Sequence, residues 1–296
     1  MKLEHVTRPA WPERRLGSFA STIQLDGLSR CEVALLGLPD DTGVRMNGGH
    51  PGAADGPRTF REAIVRYGVA EPHGFAWPTV FDAGDVQAGD SLEDTHERVS
   101  AISRELTERG MTVVGIGGGH DLTWPLVRGV LSIVQPLDGV YFDAHLDVRA
   151  ETGSGMPFRK LLEHPGVTSL EVIGLDPFAN SAKHVAWFEQ NGGRVRETVP
   201  NDPWPAGDLF VSFDLDSIDA SHAPGVSARN PCGMSAHAAS RWVRAAGRHG
   251  GVRCFDIMEL CPPHDENGRT ARLAAHLFLS FLRGIADRTL AEADEA

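Results

Sequence analysis

Three short stretches carry ionisable residues at spacings that could do chemistry. YFDAHLDVR (141–149) sets Asp143, His145 and Asp147 two apart at the end of an apolar run, and FVSFDLDSID (210–219) repeats the pattern with Asp214 and Asp216, with Asp219 just beyond. GIGGGHD (115–121) presents His120 behind a run of glycines that let backbone approach closely. In extended backbone, alternate residues point to one side, so Asp143, His145 and Asp147 converge if the strand continues through them. Ionisable groups beside a buried strand are costly unless something compensates them. Four or more carboxylates and two imidazoles repel one another without a cation, and a pair of divalent ions would supply it. Oxygen-rich donors with a few histidines suit Mn²⁺ better than a structural zinc site, while Zn²⁺, Ni²⁺ and Fe²⁺ share the ligand types. Two ions ~3.5–4 Å apart can hold and deprotonate a bridging water for attack on an electrophilic carbon, so the chemistry expected is metal-assisted hydrolysis.

These residues need elements to hold them at one edge. Strand-length apolar runs alternate with helical stretches from about residue 31 to residue 285, the signature of a parallel sheet covered by helices. Strands are expected at 31–38, 79–86, 111–118, 138–145, 169–175, 192–197, 208–216 and 252–260, several without polar alternation, as for strands buried on both faces. Helices are expected at 56–68, 91–110, 184–192, 235–250 and 268–285, the second opened by a capping box of Ser91 and Asp94 and closed by Gly110. All three motif groups then lie at the carboxyl ends of strands, where open α/β sheets form their sites. GIGGGHD fits neither phosphate-loop pattern, and Asp82 and Asp85 in FDAGDV are read as turn or cap residues as readily as functional ones.

Composition narrows the partners. The 296 residues are 41% hydrophobic with a formal net charge of -12, enough for one large α/β domain spanning 1–296 and a poor match for a nucleic-acid backbone or an anionic membrane. A small-molecule substrate is expected. Cys31, Cys232, Cys254 and Cys261 form no C-x-x-C pair and read as reduced thiols of a cytoplasmic protein. No apolar segment has the length of a signal peptide core or a membrane helix.

The ordered motifs GVRMNGGHPGAADGP, GGGHD, DAHLD, SFDLDSID and DIMELCPPHDENGRTARLAA resemble those of the ureohydrolases, the family of arginase and agmatinase, over most of the chain. The resemblance implies a three-layer α/β/α domain on a central, mostly parallel sheet of about eight strands. It implies two Mn²⁺ per chain, one held by His120, Asp143, Asp147 and Asp214, the other by His145, Asp143, Asp214 and Asp216, with Asp143 and Asp214 bridging. Glu259 in DIMELCP corresponds to the carboxylate that binds the amidinium-like end of the substrate. A homo-oligomer is implied as well.

Within that family, arginases carry a histidine in an H-G-M-P-like stretch, and this chain has Ser154 in SGMPF instead. SGMPF, APGVSA, LDPFANS and the Arg149 after DAHLDV look like the formimidoylglutamase branch. The expected reaction is hydrolysis of N-formimino-L-glutamate to L-glutamate and formamide, as in histidine breakdown, by a metal-bridging hydroxide. Asp216 is a candidate proton donor to the leaving nitrogen, Arg149 a candidate clamp for a substrate carboxylate, and Arg45 and Asn180 candidate helpers. Asp121 stands where many formimidoylglutamases carry Glu. The alternatives are a guanidino-compound hydrolase that releases urea, a non-catalytic metal-binding relative and, with less support, a deacetylase on the related fold; product identity and metal binding separate them.

Overall fold

Runs of β-branched and aromatic residues too apolar to face water on either side become the middle of a sheet, and here they do so in parallel. The computed structural model describes residues 3–26, 31–68, 70, 75–196 and 204–294, with side chains described as far as residue 288. The strands are β1 (Val6–Thr7), β2 (Val33–Leu38), β3 (Val80–Val86), β4 (Thr112–Gly117), β5 (Leu137–Phe142), β6 (Val167–Ile173), β7 (Gly193–Arg196), β8 (Leu209–Asp214) and β9 (Val252–Met258). They form one nine-stranded sheet in the order β1-β3-β2-β4-β9-β8-β5-β6-β7. Each expected strand has its counterpart, with ends moved by up to three residues: most are shortened, while β5 and β6 also begin one and two residues early. Glu197, at the end of the expected sixth strand (192–197), lies outside the described residues. The ninth strand is the antiparallel β1, which pairs Val6 with Val86 and Thr7 with Asp85. Two residues are too few to leave a period in the sequence.

The helices are α1 (Thr42–Met46), α2 (Gly56–Ile64), α3 (Leu92–Glu108), α4 (Thr123–Leu131), α5 (Pro157–Leu162), α6 (Ala182–Gln190), α7 (Ala236–Arg248) and α8 (Arg269–Asp294). The sheet splits the core in two. Val140 and Phe142 of β5 and Val211 and Phe213 of β8 pack with Phe60 and Ile64 of α2, Val243 of α7 and Phe278 and Phe281 of α8. The intervening Tyr141 and Phe210 face the opposite layer with Ile102 and Leu106 of α3, Leu126 and Val130 of α4, Phe158 of α5 and Phe188 of α6. The period-2 alternation of each strand thus feeds two helical layers, giving the three-layer α/β/α arrangement.

Three of the helices, α1, α4 and α5, have no counterpart in the sequence reading. In α4 the reason is compositional: TWPLVRGVL contains Pro125 and Gly129, two residues that argue against a helix. Pro125 lies in the first turn, where its missing N–H costs nothing. Gly129 is where α3 presses closest, since a Cβ there would stand 2.0 Å from Ser103 Oγ and 2.4 Å from Ser100 O. The α3 cap also differs from the expected box. Ser91 Oγ accepts the Asp94 N–H at 3.1 Å, but Asp94 returns its carboxylate to the N–H of Asp90, one residue before the box position. Asp is one methylene shorter than the Glu of a standard box. At the other end Gly110 adopts φ +79°, closing the helix as expected. Helix α2 stops at Ile64 instead of running to 68, and α8 runs on to Asp294 through a polar stretch where the apolar period fades. Among the described residues no helix is long and apolar enough to cross a membrane.

Candidate metal centre

The sheet order makes neighbours of four strands that are far apart in sequence. At their carboxyl ends β4, β9, β8 and β5 deliver, side by side, His120, Glu259, the Asp214 and Asp216 pair, and the Asp143 to Asp147 loop. Behind His120, the Gly118 and Gly119 amides donate to Leu38 O and Asp40 O at 2.8 and 2.9 Å. A Cβ on Gly118 would lie 1.8 Å from Asp40 O, so only glycine allows the contact that turns the chain out of β4.

The convergence of Asp143, His145 and Asp147 does not come from the strand pleat, contrary to the sequence expectation. Strand β5 ends at Phe142. Asp143 Oδ1 then accepts the His145 N–H at 2.6 Å, a local turn that a short carboxylate side chain favours. Asp147 sits at φ +46°, a left-handed conformation costly for a side chain with a Cβ. Asp214 makes the same turn, its Oδ1 taking the Asp216 N–H at 2.7 Å.

Two groups of candidate ligands result, each with its donor atoms within 4.8 Å of one another: His120, Asp143, Asp147 and Asp214 in one, and Asp143, His145 and Asp216 in the other. Asp143, fully buried, belongs to both. Asp214, expected to be shared as well, contributes only to the first, with its Oδ2 3.0 Å from His120 Nδ1 and its Oδ1 turned to the Asp216 amide. His120 Nδ1 also lies 3.2 Å from Asp143 Oδ2 and 3.1 Å from Asp147 Oδ2. Yet His120 Nδ1, Asp143 Oδ2 and Asp216 Oδ1 are buried without a hydrogen-bond partner. Short separations without hydrogen-bond geometry are what lone pairs aimed at a common point produce.

Electrostatics gives the same account. Burial alone would lower the His120 pKa, but Asp214, with Asp143 and Asp147, outweighs it and holds the imidazole well above the ordinary histidine value. Burial likewise opposes charge on His145, and Asp143 and Asp216 still push it up to about 12. Burial, then repulsion from Asp216 and Asp147, raises Asp143 to about 6, and burial with Asp216 raises Asp214 well above the carboxylate range. The protein therefore holds protons where positive charge is missing. An oxygen-rich donor set with one imidazole per group, three orphaned donor atoms and a shared carboxylate fits two divalent cations.

A supporting chain absent from the sequence reading fixes His120. Its Nε2 lies 3.0 Å from Ser212 Oγ, which donates at 2.6 Å to Asp256 Oδ1, while Thr123 Oγ1 donates to Asp256 Oδ2 at 2.9 Å. Because the single Ser212 hydrogen goes to Asp256, the hydroxyl accepts from Nε2–H, which leaves Nδ1, facing the carboxylates, as the nitrogen that a cation would take in place of a proton. Burial lifts Asp256 to about 6, so this holds at neutral pH. Ser212 was legible as the residue two before Asp214 on one strand face, whereas nothing in the sequence links Asp256 to it.

Glu259 is 4% exposed and adopts φ +63°. Its Oε1 accepts the His120 N–H at 3.0 Å and its Oε2 the Ser227 hydroxyl at 2.8 Å, so it stands beside the ligand cluster with its orientation fixed. Burial raises its pKa to about 7. Ser154 lies in the adjoining loop: its N–H donates to Gly43 O at 3.0 Å, and its hydroxyl is 3.1 Å from the Asn47 amide, another residue the sequence reading passed over. Arg149 is exposed, packs its stem over Gly155 and makes no ion pair among the described residues. Arg45 pairs with the buried Asp41 at 2.7 Å. Asn180 turns its amide to the ligand loop instead of to open space, with Oδ1 accepting from Leu146 N and Nδ2 donating to Ala144 O. Asp121 points away from the cluster to His96 Nε2 at 2.9 Å. Asp219 is spent on a turn, accepting from Ser221 N, and Asp82 and Asp85 pair with Arg61.

Comparison with known proteins agrees with this geometry. The family model described as Arginase family matches residues 31–283. Formimidoylglutamase of Aromatoleum aromaticum is 35% identical over 86% of this chain and 84% of its own length. The mitochondrial guanidino acid hydrolase of Homo sapiens is 28% identical over 85% of this chain and 77% of its own. Among solved structures, Trypanosoma cruzi formiminoglutamase with Mn²⁺ superposes with a TM-score of 0.81 at 29% identity, covering 87% of this chain and 94% of that one. On the matched span, the fold and the motif order, this chain belongs to the arginase family.

Proposed function

We propose that this chain hydrolyses N-formimino-L-glutamate to L-glutamate and formamide at a centre of two Mn²⁺ ions. The observation that carries the reading is the pair of ligand groups sharing Asp143, with buried donor atoms left unpartnered, in a chain 35% identical to a formimidoylglutamase. His120, Asp143, Asp147 and Asp214 hold one ion, and Asp143, His145 and Asp216 the other. When bound, the ions supply hydroxide from water at neutral pH and favour negative charge on the attacked carbon's substituents.

The protein's own groups do the rest. Glu259, its two oxygens already oriented by His120 N–H and Ser227, keeps further lone pairs to accept N–H bonds from the formimino group and to match its positive charge. A C–O bond forms from water to the formimino carbon and the C–N bond to glutamate breaks. Both protons of that water end on the departing nitrogen, which leaves the positively charged formimino group as an ammonium, and the Asp216 carboxylate is the candidate to relay one of them. Arg149, exposed and with no ion pair of its own among the described residues, binds a substrate carboxylate, with Ser154 as a candidate contact in the loop whose Gly155 Arg149 packs against. Arg45 contributes less directly, since Asp41 already neutralises it. The reading includes a homo-oligomer in the cytoplasm, in keeping with the reduced thiols read from the sequence; light scattering on the purified protein measures the assembly.

Product analysis of the Mn²⁺-loaded protein with N-formimino-L-glutamate, L-arginine, agmatine and guanidinobutyrate side by side tests this. Formamide and glutamate from the first substrate alone are expected. Urea from a guanidino compound, with the formimino substrate untouched, would replace the assignment with that of a guanidino-acid hydrolase, the activity in the name of the human relative.

A further inference from the structure

The loop that carries His145 has run past the end of its strand, so its backbone needs partners that the sheet no longer supplies. Its two ends are anchored independently of each other. Asp143 N donates to Ile173 O of β6 at 3.1 Å, and Asp147 O accepts Phe158 N of α5 at 3.2 Å. The residues on either side of His145 depend on a different region, the loop between β6 and α6. From that loop Asn180 Oδ1 accepts the Leu146 N–H at 2.9 Å, while Nδ2 donates to Ala144 O and to Asp176 O, each at 2.8 Å. Asp176 N adds a second bond to Ala144 O at 3.0 Å, and Tyr141 Oη donates to Leu146 O at 3.0 Å. The carboxamide thus behaves as an extra strand residue, giving one acceptor and one donor to the backbone groups that flank a single ligand and a second donor to its own loop.

We propose that Asn180 is not a substrate contact but a positioning residue that sets His145, and so governs one of the two cation sites selectively. The inference rests on the binuclear reading above. Selectivity follows from the anchoring: the first group draws on Asp143, Asp147, His120 and Asp214, none of which Asn180 touches, whereas in the second His145 is the ligand on the segment it brackets. His145 also has the most exposed side chain of the ligands, at 31%, so packing constrains it least. An amide is required because the flanking groups include both a donor and an acceptor; aspartate keeps the acceptor and loses both donated bonds.

Calorimetric titration of the metal-free protein with Mn²⁺ tests this without reference to turnover. Wild type should bind two ions. Asn180→Ala should leave the tighter affinity within about twofold and weaken the other by roughly 10–100-fold, the scale found when groups that orient metal ligands are removed. At saturating Mn²⁺ its KM for the formimino substrate should be unchanged. Should that variant fail to fold, Asn180→Asp, which keeps the Leu146 bond, carries the same test. Two affinities within twofold of wild type, or equal weakening of both, would overturn the assignment, as would a raised KM with intact metal binding. A wild-type protein that binds no Mn²⁺ would instead sink the proposed function itself.

Discussion

Among the described residues, two clusters of buried carboxylates solve the charge problem in opposite ways. At one, Arg61 of α2, 1% exposed, grips Asp82 through Nε and Nη2 at 2.8 and 3.0 Å and Asp85 through Nη1 at 2.6 Å, with Trp11 Nε1 donating to Asp82 at 2.8 Å. Two negative charges meet a resident cation, and no buried polar side-chain atom of Arg61, Asp82 or Asp85 is left without a partner. At the other, Asp143, Asp147, Asp214 and Asp216 meet only two imidazoles, and three donor atoms remain orphaned. The first cluster is complete as folded and fixes α2 to β3. The second is complete only with cations from outside, which is the difference between a structural ion pair and a reaction centre.

The comparison predicts where a lost charge should be felt. Asp143→Asn removes the ligand common to both groups, so activity should fall by at least roughly 10²–10³-fold, the loss typical for one transition-state-stabilising group, with fewer than two Mn²⁺ per chain by elemental analysis. A variant retaining two ions and near-normal turnover would contradict the shared role. Arg61→Met should instead strike stability, by about 3–5 kcal/mol in denaturant unfolding, because it leaves two buried carboxylates uncompensated, while the molecules still folded keep their activity. Adding Asp82→Asn to Arg61→Met should recover part of that loss; an additive result would mean the pair does not interact as described.

Glu259→Gln, beside the ligands but not among them, should lower kcat/KM by roughly 10–100-fold, the worth of a charge-assisted hydrogen bond, with two Mn²⁺ still bound. Unchanged kinetics would remove Glu259 from substrate binding. A pH series separates the clusters again. In the metal-free protein Asp143 at about 6 and His145 at about 12 bind protons more tightly folded than unfolded. Their contribution to stability is therefore present in full below the unfolded values, and that of Asp143 fades as pH rises towards 6, that of His145 above about 6.5. The gain in Tm on adding Mn²⁺ to chelator-treated protein should accordingly widen from pH 5 to pH 8, and a gain that narrows would contradict the charge account. The smallest effect is expected at the exposed rim: Arg149→Ala should raise KM for the formimino substrate about fivefold, near the ~1 kcal/mol limit for exposed ion pairs, and an unmoved KM would leave Arg149 without a role.

All six candidate metal ligands were legible in the sequence because their residue types are expensive to bury and sit at the ends of apolar runs, whereas Glu259 came only from the resemblance of DIMELCP to the ureohydrolase motif. Eight of the nine strands were legible for the same reason, since a buried strand leaves a run that a two-residue edge strand such as β1 cannot leave. Residues that act by orienting other groups were not. Asn180, read as a substrate contact, and Asp256, not read at all, lie outside the ligand motifs, and their partners are 34 and 44 positions away. Helix α4 was hidden because Pro125 and Gly129 look like breakers until α3 is seen lying against them.

The sequence by itself determined which side chains could not be buried without a cation and the alternation that makes a parallel sheet, because both depend on local composition and period. Only the tertiary structure decided that β9, the last strand, lies between β4 and β8, which brings Glu259 beside His120 across 139 positions. It also replaced the expected pleat at Asp143 to Asp147 with a turn, because strand order and backbone hydrogen bonding past a sheet's edge are set by packing between distant segments and leave no local pattern to read.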